Sequence, residues 1–410
     1  MLSDEDTTLV HAVQKQYASL NLKLPAGTFT ILAAIALTSS DSSSVQPKII
    51  GLATGCKCLP KDKLPLQGEA VHDSHAEVLA RRCALRWLIE EISRAASASD
   101  GSHRRSAWIS KMADDRYRLK DGVYMIMYIS TLPCGDASMR FLATFQDEEM
   151  AALKDSAVFP PLAPNVASRG RDNYSLLGVL RTKPGRADSP QTLSLSCSDK
   201  IARWNVLGIQ GALGSAFFHP IYLKKIIIGE VPPDLHDVVK SDCERALWGR
   251  LQGIYGLPEG YELNRPEIQF TSIGFVHSRS AQEHSSLAQR SCNESLTWVA
   301  DSTSPYEVLI NGLKRGVSPK HRHKSIFWPT LSKVSLFHLY RETRSIENLP
   351  LESKTMSYYQ AKESMTQYQM AKNCLLGEGR PFSGWIRSGA RWENFSSSSD
   401  NRQQSTDITN

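Results

Sequence analysis

The chain has 410 residues, 48 basic against 42 acidic side chains and a formal charge of +6, a modest excess that fits RNA but equally fits proteins that never meet it. Its eight cysteines show no framework spacing, which excludes a disulfide-stapled secreted fold. With no signal peptide and no apolar run long enough to span a bilayer, an intracellular, soluble protein with no membrane partner is expected.

Residues 7–20 read as an N-terminal helix with Val10, Val13, Tyr17 and Leu20 on one face, and residues 29–37 and 49–54 as strands. Cys56 and Cys58 follow; two thiols without nearby partners are more often plain core or loop residues than a metal site. From Val78 to Ile89 apolar residues fall at helical spacing without Gly or Pro, so His75 and Glu77 open an amphipathic helix. Residues 95–119 and 281–296 are polar, Ser-rich and irregular, and read as surface insertions. The continuous apolar run 123–129 reads as a buried strand. Pro133 suits a helix's first turn, which would set Cys134 at an N-terminus where free N–H groups favour the thiolate. No internal repeat is evident, and the informative segments interleave from residue 54 to residue 385. One enlarged domain over 1–395 is therefore expected, followed by a disordered Ser, Asp, Asn and Gln tail, 396–410.

Three short segments carry chemistry: His75-Ala76-Glu77, Pro133-Cys134 and Ser196-Cys197-Ser198-Asp199-Lys200. One imidazole and two thiolates hold zinc with a fourth position open for water, and a carboxylate that is not a ligand moves protons, the pattern established for zinc nucleobase deaminases. Glu77 is that carboxylate and His75 and Cys134 are two of the ligands. The usual short loop supplies its second thiolate three residues after the first, but Ala137 stands there, so the third ligand must come from elsewhere; Cys197 is the expectation. Each segment alone has bland readings, a helix cap or a buried structural cysteine. Their combination carries the reading.

In this order, and with Pro133-Cys134-Gly135-Asp136-Ala137-Ser138 as the middle block, the three segments resemble the adenosine deaminases acting on RNA, over roughly residues 25–390. That family comprises double-stranded RNA editors and tRNA-specific enzymes. The resemblance implies a cytidine-deaminase-like α/β fold, a three-layer core with a mixed sheet, enlarged by helical and C-terminal additions around a buried inositol polyphosphate. It implies zinc-dependent deamination of adenosine to inosine. Within the family, about 70 residues precede His75, too few for the N-terminal duplex-binding domains of the editors. Ser138 stands where the editors have arginine, and the segment from Arg181 to Cys197 is shorter than their base-flipping loop. These features favour the tRNA branch and position 37, just 3′ of the anticodon, in alanine tRNA; a loop nucleotide is already unpaired and needs less unstacking. A duplex editor, a cytidine deaminase and a non-catalytic RNA-binding protein with structural zinc are the alternatives.

The resemblance also assigns a second ligand. Arg81, Arg82, Lys200 and Arg203, with Lys333, Tyr358, Lys362, Tyr368, Lys372 and Trp385 near the C-terminus, match positions that hold inositol hexakisphosphate, and Lys200 and Asp199 would link it to the zinc site. Without the resemblance, 358–372 would read as a solvated lysine helix. His72, Ala212 and Arg387 depart from the family's Asn, Ser and Glu. Gly51 to Cys58 resembles the loop that approaches the target nucleotide, and Lys57, Arg181, Lys183 and Arg186 are the expected RNA contacts, with further basic clusters at Arg169 and Arg171 and from Lys314 to Lys324. No protein partner is expected.

Overall fold

The computed structural model describes residues 2–40, 46–96, 106–144, 162–163, 165–171, 173–185, 189–282, 290–322, 324–350, 353 and 355–396. Eight strands form one mixed sheet: β1 (Leu32–Ser39), β2 (Lys48–Thr54), β3 (Val123–Ile129), β4 (Leu223–Gly229), β5 (Glu267–Thr271), β6 (Glu294–Val299), β7 (Tyr306–Ile310) and β8 (Leu313–Lys314). Their spatial order is β5-β4-β3-β1-β2-β6-β7-β8. The β3, β4 and β5 strands run parallel, and every pair from β3 through β1 to β8 is antiparallel.

The period-two alternation of a pleated strand divides the apolar residues between two faces. Leu32, Ala34 and Ala36 of β1, with Ile126 and Tyr128 of β3, meet Leu9, Val10, Val13 and Tyr17 of helix α1 (Asp4–Ser19). Ala33, Ile35 and Leu37, with Met125, Met127 and Ile129, meet the apolar stripe of helix α2 (Ala76–Ala96). Helices thus cover both faces of the sheet. On the α2 side lie α3 (Cys197–Leu207), α4 (His236–Leu247) and α5 (Lys333–Ile346), and further out α6 (Tyr358–Glu363) and α7 (Thr366–Leu376). A separate apolar cluster joins Ala202 and Val206 of α3 to Ala371 and Leu375 of α7.

Several expectations need correction. Of residues 95–119, 97–105 lie outside the described residues and the rest is not irregular: α2 runs to Ala96, and Ile109–Lys111 pairs with Tyr117–Leu119 as a hairpin whose Tyr117 N–H donates to Phe217 O at 2.6 Å. Alternating Ile109, Tyr117 and Leu119 carry that hairpin among polar residues, a signal too short to stand out. The second segment, 281–296, ends in β6, and its Arg290–Ser291 pairs with Thr28–Phe29. The stretch 358–372 is two helices broken at Ser364 and Met365, the first opened by a capping box between Ser357 and Gln360. Apart from Ser396, the expected tail lies outside the described residues. Among the described residues no helix is long and apolar enough to cross a membrane.

Candidate active site

His75 is the last residue of a three-residue strand, Asp73–His75, paired with Cys56–Cys58 in register Cys56 to His75. Ala76 then starts α2. The turn is fixed by Asp73 Oδ1, which accepts from the His75 backbone N–H at 3.0 Å and from its Nδ1 at 2.8 Å. A carboxylate only accepts, so Nδ1 carries the hydrogen and Nε2 is left for a ligand role. Burial and Lys183 disfavour a charged imidazole, but Asp73 outweighs them and lifts His75 to about 9.

The two cysteine segments are fastened to each other by serines. Ser198 Oγ donates to Cys134 O at 2.9 Å and accepts from Ala137 N–H at 3.2 Å, while Ser198 N–H reaches Cys134 O at 3.0 Å. Gly135 has φ +105°, and a Cβ there would lie 2.1 Å from Ser196 Oγ, so only glycine admits this approach. Ser196 caps α3, accepting from Asp199 N–H at 3.1 Å. Cys197 is therefore the first residue of a helix, where the dipole favours a thiolate. The helix expected after Pro133 is present but begins later: Cys134 precedes a 3-10 turn, Asp136–Ser138, that runs directly into a short α-helix, Met139–Ala143.

Cys134 Sγ accepts from the Cys197 backbone N–H at 3.4 Å, and the side chains of Cys197 and His75 lie beside it. The hydrogen bond from Cys197 holds Cys134 well below the ordinary thiol value in spite of burial, with Lys183 and His75 adding to the effect. Burial and the neighbouring Cys134 push Cys197 the other way. The pair thus holds one negative charge readily and the second only against added positive charge. Among the described residues no three His, Cys, Asp or Glu side chains already stand at metal-holding spacing. The donor chemistry nonetheless suits a soft divalent ion: one imidazole nitrogen and two sulfurs, with Cys134 beside both of the others.

Glu77, in the first turn of α2, is buried, and its Oε2 has no hydrogen-bond partner among the described residues. Burial, then Cys134, raises its pKa above the ordinary carboxyl value against His75 and Lys183. A buried carboxyl oxygen without a partner is costly and serves no structural contact here.

Asp73 also organises what lies behind the histidine. Its Oδ2 accepts from Lys183 Nζ at 2.8 Å and Ser194 Oγ at 2.5 Å, and from Lys200 Nζ. Burial opposes its ionisation, but Lys183, Lys200 and His75 hold the carboxyl well below the usual range. Lys183 also donates to Cys197 Sγ at 3.1 Å.

Lys200 forms part of the wall of a cavity of about 500 Å³. All ten residues expected around a polyphosphate line it: Arg81 and Arg82 of α2, Lys200 and Arg203 of α3, Lys333 of α5, Tyr358 and Lys362 of α6, Tyr368 and Lys372 of α7, and Trp385. Eight basic residues on the wall, Arg387 included, face only three carboxylates, Asp73, Glu363 and Glu393. Burial followed by neighbouring cations depresses Arg81 to about 10, burial lowers Arg82 and Lys333, and burial with Lys362 lowers Lys372. Burial would raise Tyr368, but Arg203 and Arg81 bring it down. Glu393 accepts from Lys333 Nζ at 2.9 Å and from Lys362 Nζ, and despite burial these lysines hold its carboxyl at about 2.

The expected RNA contacts fare differently. Arg181 is fully buried, its guanidinium donating to the carbonyls of Gly170 at 3.2 Å, Asn173 at 3.0 Å and Leu176 at 2.5 Å. Lys183 is buried between Asp73 and Cys197. Neither faces a surface that RNA could reach, which corrects both readings; a sequence does not distinguish a solvated cation from one that fastens a loop. Half-buried Lys57 donates to Ser291 Oγ at 2.7 Å, and Arg186 lies outside the described residues. Asp199 is absent from the cavity wall, accepting instead from Arg181 N–H at 2.9 Å and Arg250 at 2.6 Å. Asp73, Ser194 and Glu393 are positions at the site that sequence reasoning missed, and Ser198 entered it only as a member of the Cys197 block. Only Asp73 left a signal, two residues before His75 on the same strand face.

Residues 51–388 match the adenosine-deaminase (editase) domain family. The chain is 26% identical to tRNA-specific adenosine deaminase 1 of Mus musculus over 92% of this chain and 98% of that one, and 32% identical to its Saccharomyces cerevisiae counterpart over 71% and 70%. It is 30% identical to the double-stranded RNA-specific editase Adar of Drosophila melanogaster over 89% of this chain but 51% of the editase. With the family matched across most of its length, the chain belongs to the adenosine-deaminase (editase) domain family.

Proposed function

We propose that the protein deaminates adenosine hydrolytically in tRNA, at position 37 of alanine tRNA, with zinc held by His75, Cys134 and Cys197. The observation that carries the catalytic reading is the Glu77 Oε2, buried and unpartnered within the imidazole and thiol cluster. The tRNA reading is supported by the mouse relative named for tRNA, which matches along 98% of its length, where the editase matches along 51%.

A bound zinc supplies the Lewis acidity that lets water act as a nucleophile at neutral pH. The rest falls to side chains. Asp73 fixes the tautomer and direction of His75. Lys183, beside Cys197, favours the thiolate that metal binding requires. Glu77, its proton affinity raised by burial, takes a proton from the attacking water and gives it to ring N1, then carries the proton of the hydroxyl added at C6 to the departing amine. The C6–N bond breaks, ammonia leaves, and inosine remains. An intracellular, reducing compartment keeps both thiols available.

Inositol hexakisphosphate is the ligand we assign to the cavity, since seven half-buried basic groups and the exposed Arg387 against three carboxylates call for anionic partners, and phosphates supply several per molecule. Because residues from Arg81 to Trp385 line the cavity, we read 1–395 as one domain. Lys57 and Arg186 remain the RNA-contact candidates.

The test incubates the purified protein and its Glu77→Ala variant with an alanine tRNA transcript and a long RNA duplex, and maps inosine. Inosine only at position 37, and only with the unsubstituted protein, is the expected result. Inosine in the duplex would move the protein to the editors, and none in either RNA would overturn the catalytic reading. Cys197→Ala is expected to lose zinc by metal analysis; full retention would remove Cys197 from the ligand set.

A further inference from the structure

The cavity wall holds one nitrogen base whose charge is optional. His72 lines the cavity, immediately before the strand Asp73–His75, and its Nε2 is buried without a hydrogen-bond partner among the described residues. An imidazole titrates near neutrality and responds to its surroundings, in a range that ordinary lysine and arginine side chains do not reach.

The charged groups facing His72 come from several elements: Asp73 next in the chain, Lys183 from the segment before α3, Lys200 from α3 and Lys333 from α5. Arg82 of α2 and Glu393 share the same wall. Burial, then Lys200, presses the imidazole down to about 4 against the pull of Asp73. His72 is therefore neutral at neutral pH while its neighbours are mostly cations. A polyanion entering the cavity reverses that field, and an imidazolium Nε2–H is then a donor suited to a phosphate oxygen.

We propose that His72 is a proton-coupled ligand of the polyphosphate: the imidazole takes up a proton as the anion enters, so that occupancy of the cavity increases as pH falls. The inference rests on the polyphosphate reading above. It concerns this chain in particular, because the asparagine that the resemblance places here in other members hydrogen-bonds without changing charge.

The direction follows from linkage. His72 titrates at about 4 in the structure and higher beside an anion, so a proton is taken up on binding at any pH between those two values. Within that window affinity gains up to about tenfold per pH unit as pH falls, and nothing further once the free protein is also protonated.

The experiment titrates the full chain and its His72→Asn variant with inositol hexakisphosphate by calorimetry, at about pH 7.5 and about pH 6, in two buffers of different ionisation heat. Anion carried through purification is first removed by high-salt dialysis and its loss checked by phosphorus analysis. The ligand's phosphates titrate with both proteins, so the quantity read is the difference between them. The unsubstituted protein is expected to take up more protons, approaching one, and its affinity advantage over the variant to widen toward pH 6. Equal proton uptake by two proteins that both bind would overturn the role of His72 and leave the ligand reading intact. Absence of binding by either would overturn the ligand reading itself. His72→Gln serves as the second variant if the asparagine form is poorly folded, judged by its melting temperature.

Discussion

Lys183 donates to Cys197 Sγ across 3.1 Å while the same ammonium holds Asp73 Oδ2 at 2.8 Å, so one buried cation touches both a candidate metal donor and the carboxylate that orients another. Burial works against that charge, yet Asp73 and Cys197 keep its pKa well above the ordinary lysine value. Lysine is here a fixed part of the site's electrostatics.

Lys183→Met should expose that role. Removing one partner from a buried ionic cluster leaves the others uncompensated, and a loss of roughly 3–5 kcal/mol in denaturant unfolding is expected. Zinc content per chain should fall with it. An unchanged unfolding midpoint together with full zinc content would show that Lys200 alone suffices for Asp73.

Glu77→Gln is expected to separate activity from stability. The carboxyl's Oε2 has no hydrogen-bond partner among the described residues, so the amide removes no hydrogen bond at that atom and relieves the tendency to charge a buried group. Turnover should fall by about 10²–10⁴, the range for loss of a proton carrier, while the melting temperature stays level or rises. A clear drop in melting temperature would mean that Glu77 has a structural partner.

Gly135→Ala tests the close approach of the two cysteine segments. Its Cβ would meet Ser196 Oγ at 2.1 Å on a backbone with φ +105°. A cost of about 1–3 kcal/mol from backbone strain alone is expected, with displacement of Ser196 added to it. Reduced zinc retention, measured beside Gly178→Ala, where a Cβ meets nothing within 4 Å, is the readout.

Glu393 gives a pH signature. Its folded pKa is about 2, below the ordinary value of 4.5, so its stabilising contribution is complete above about 4.5 and is lost as pH falls toward 2. Glu393→Gln should be less stable than the unsubstituted protein at neutral pH, and the gap should narrow as the two are compared at about pH 3. A gap that does not change with pH would assign the effect to packing.

The elements that a short period defines were legible in the sequence: the α1 face through Val10, Val13 and Tyr17, the apolar run of β3, and the stripe of α2. Motif chemistry gave His75, Cys134 and Cys197 as neighbours, and the structure sets Cys134 beside both of the others. Long-range polar pairing was not legible. Arg181 and Lys183 resemble surface cations by type, and only the fold shows that one fastens carbonyls and the other joins Asp73 to Cys197. Asp73 was overlooked because its partners, Lys183 and Lys200, lie 110 and 127 residues away.

The position of Glu393 bears on how the chain is made. A ribosome delivers every candidate metal donor by Cys197, but the lysine of α5 and the lysines and tyrosines of α6 and α7 that complete the cavity, and the carboxylate that neutralises two of those lysines, emerge 136 to 196 residues later. Until then Arg81, Arg82, Lys200 and Arg203 form an open cationic surface on a partly folded chain. The residues that close this surface are thus made after it, so a nascent chain halted before Tyr358 would hold the candidate catalytic residues without the wall that α6 and α7 provide.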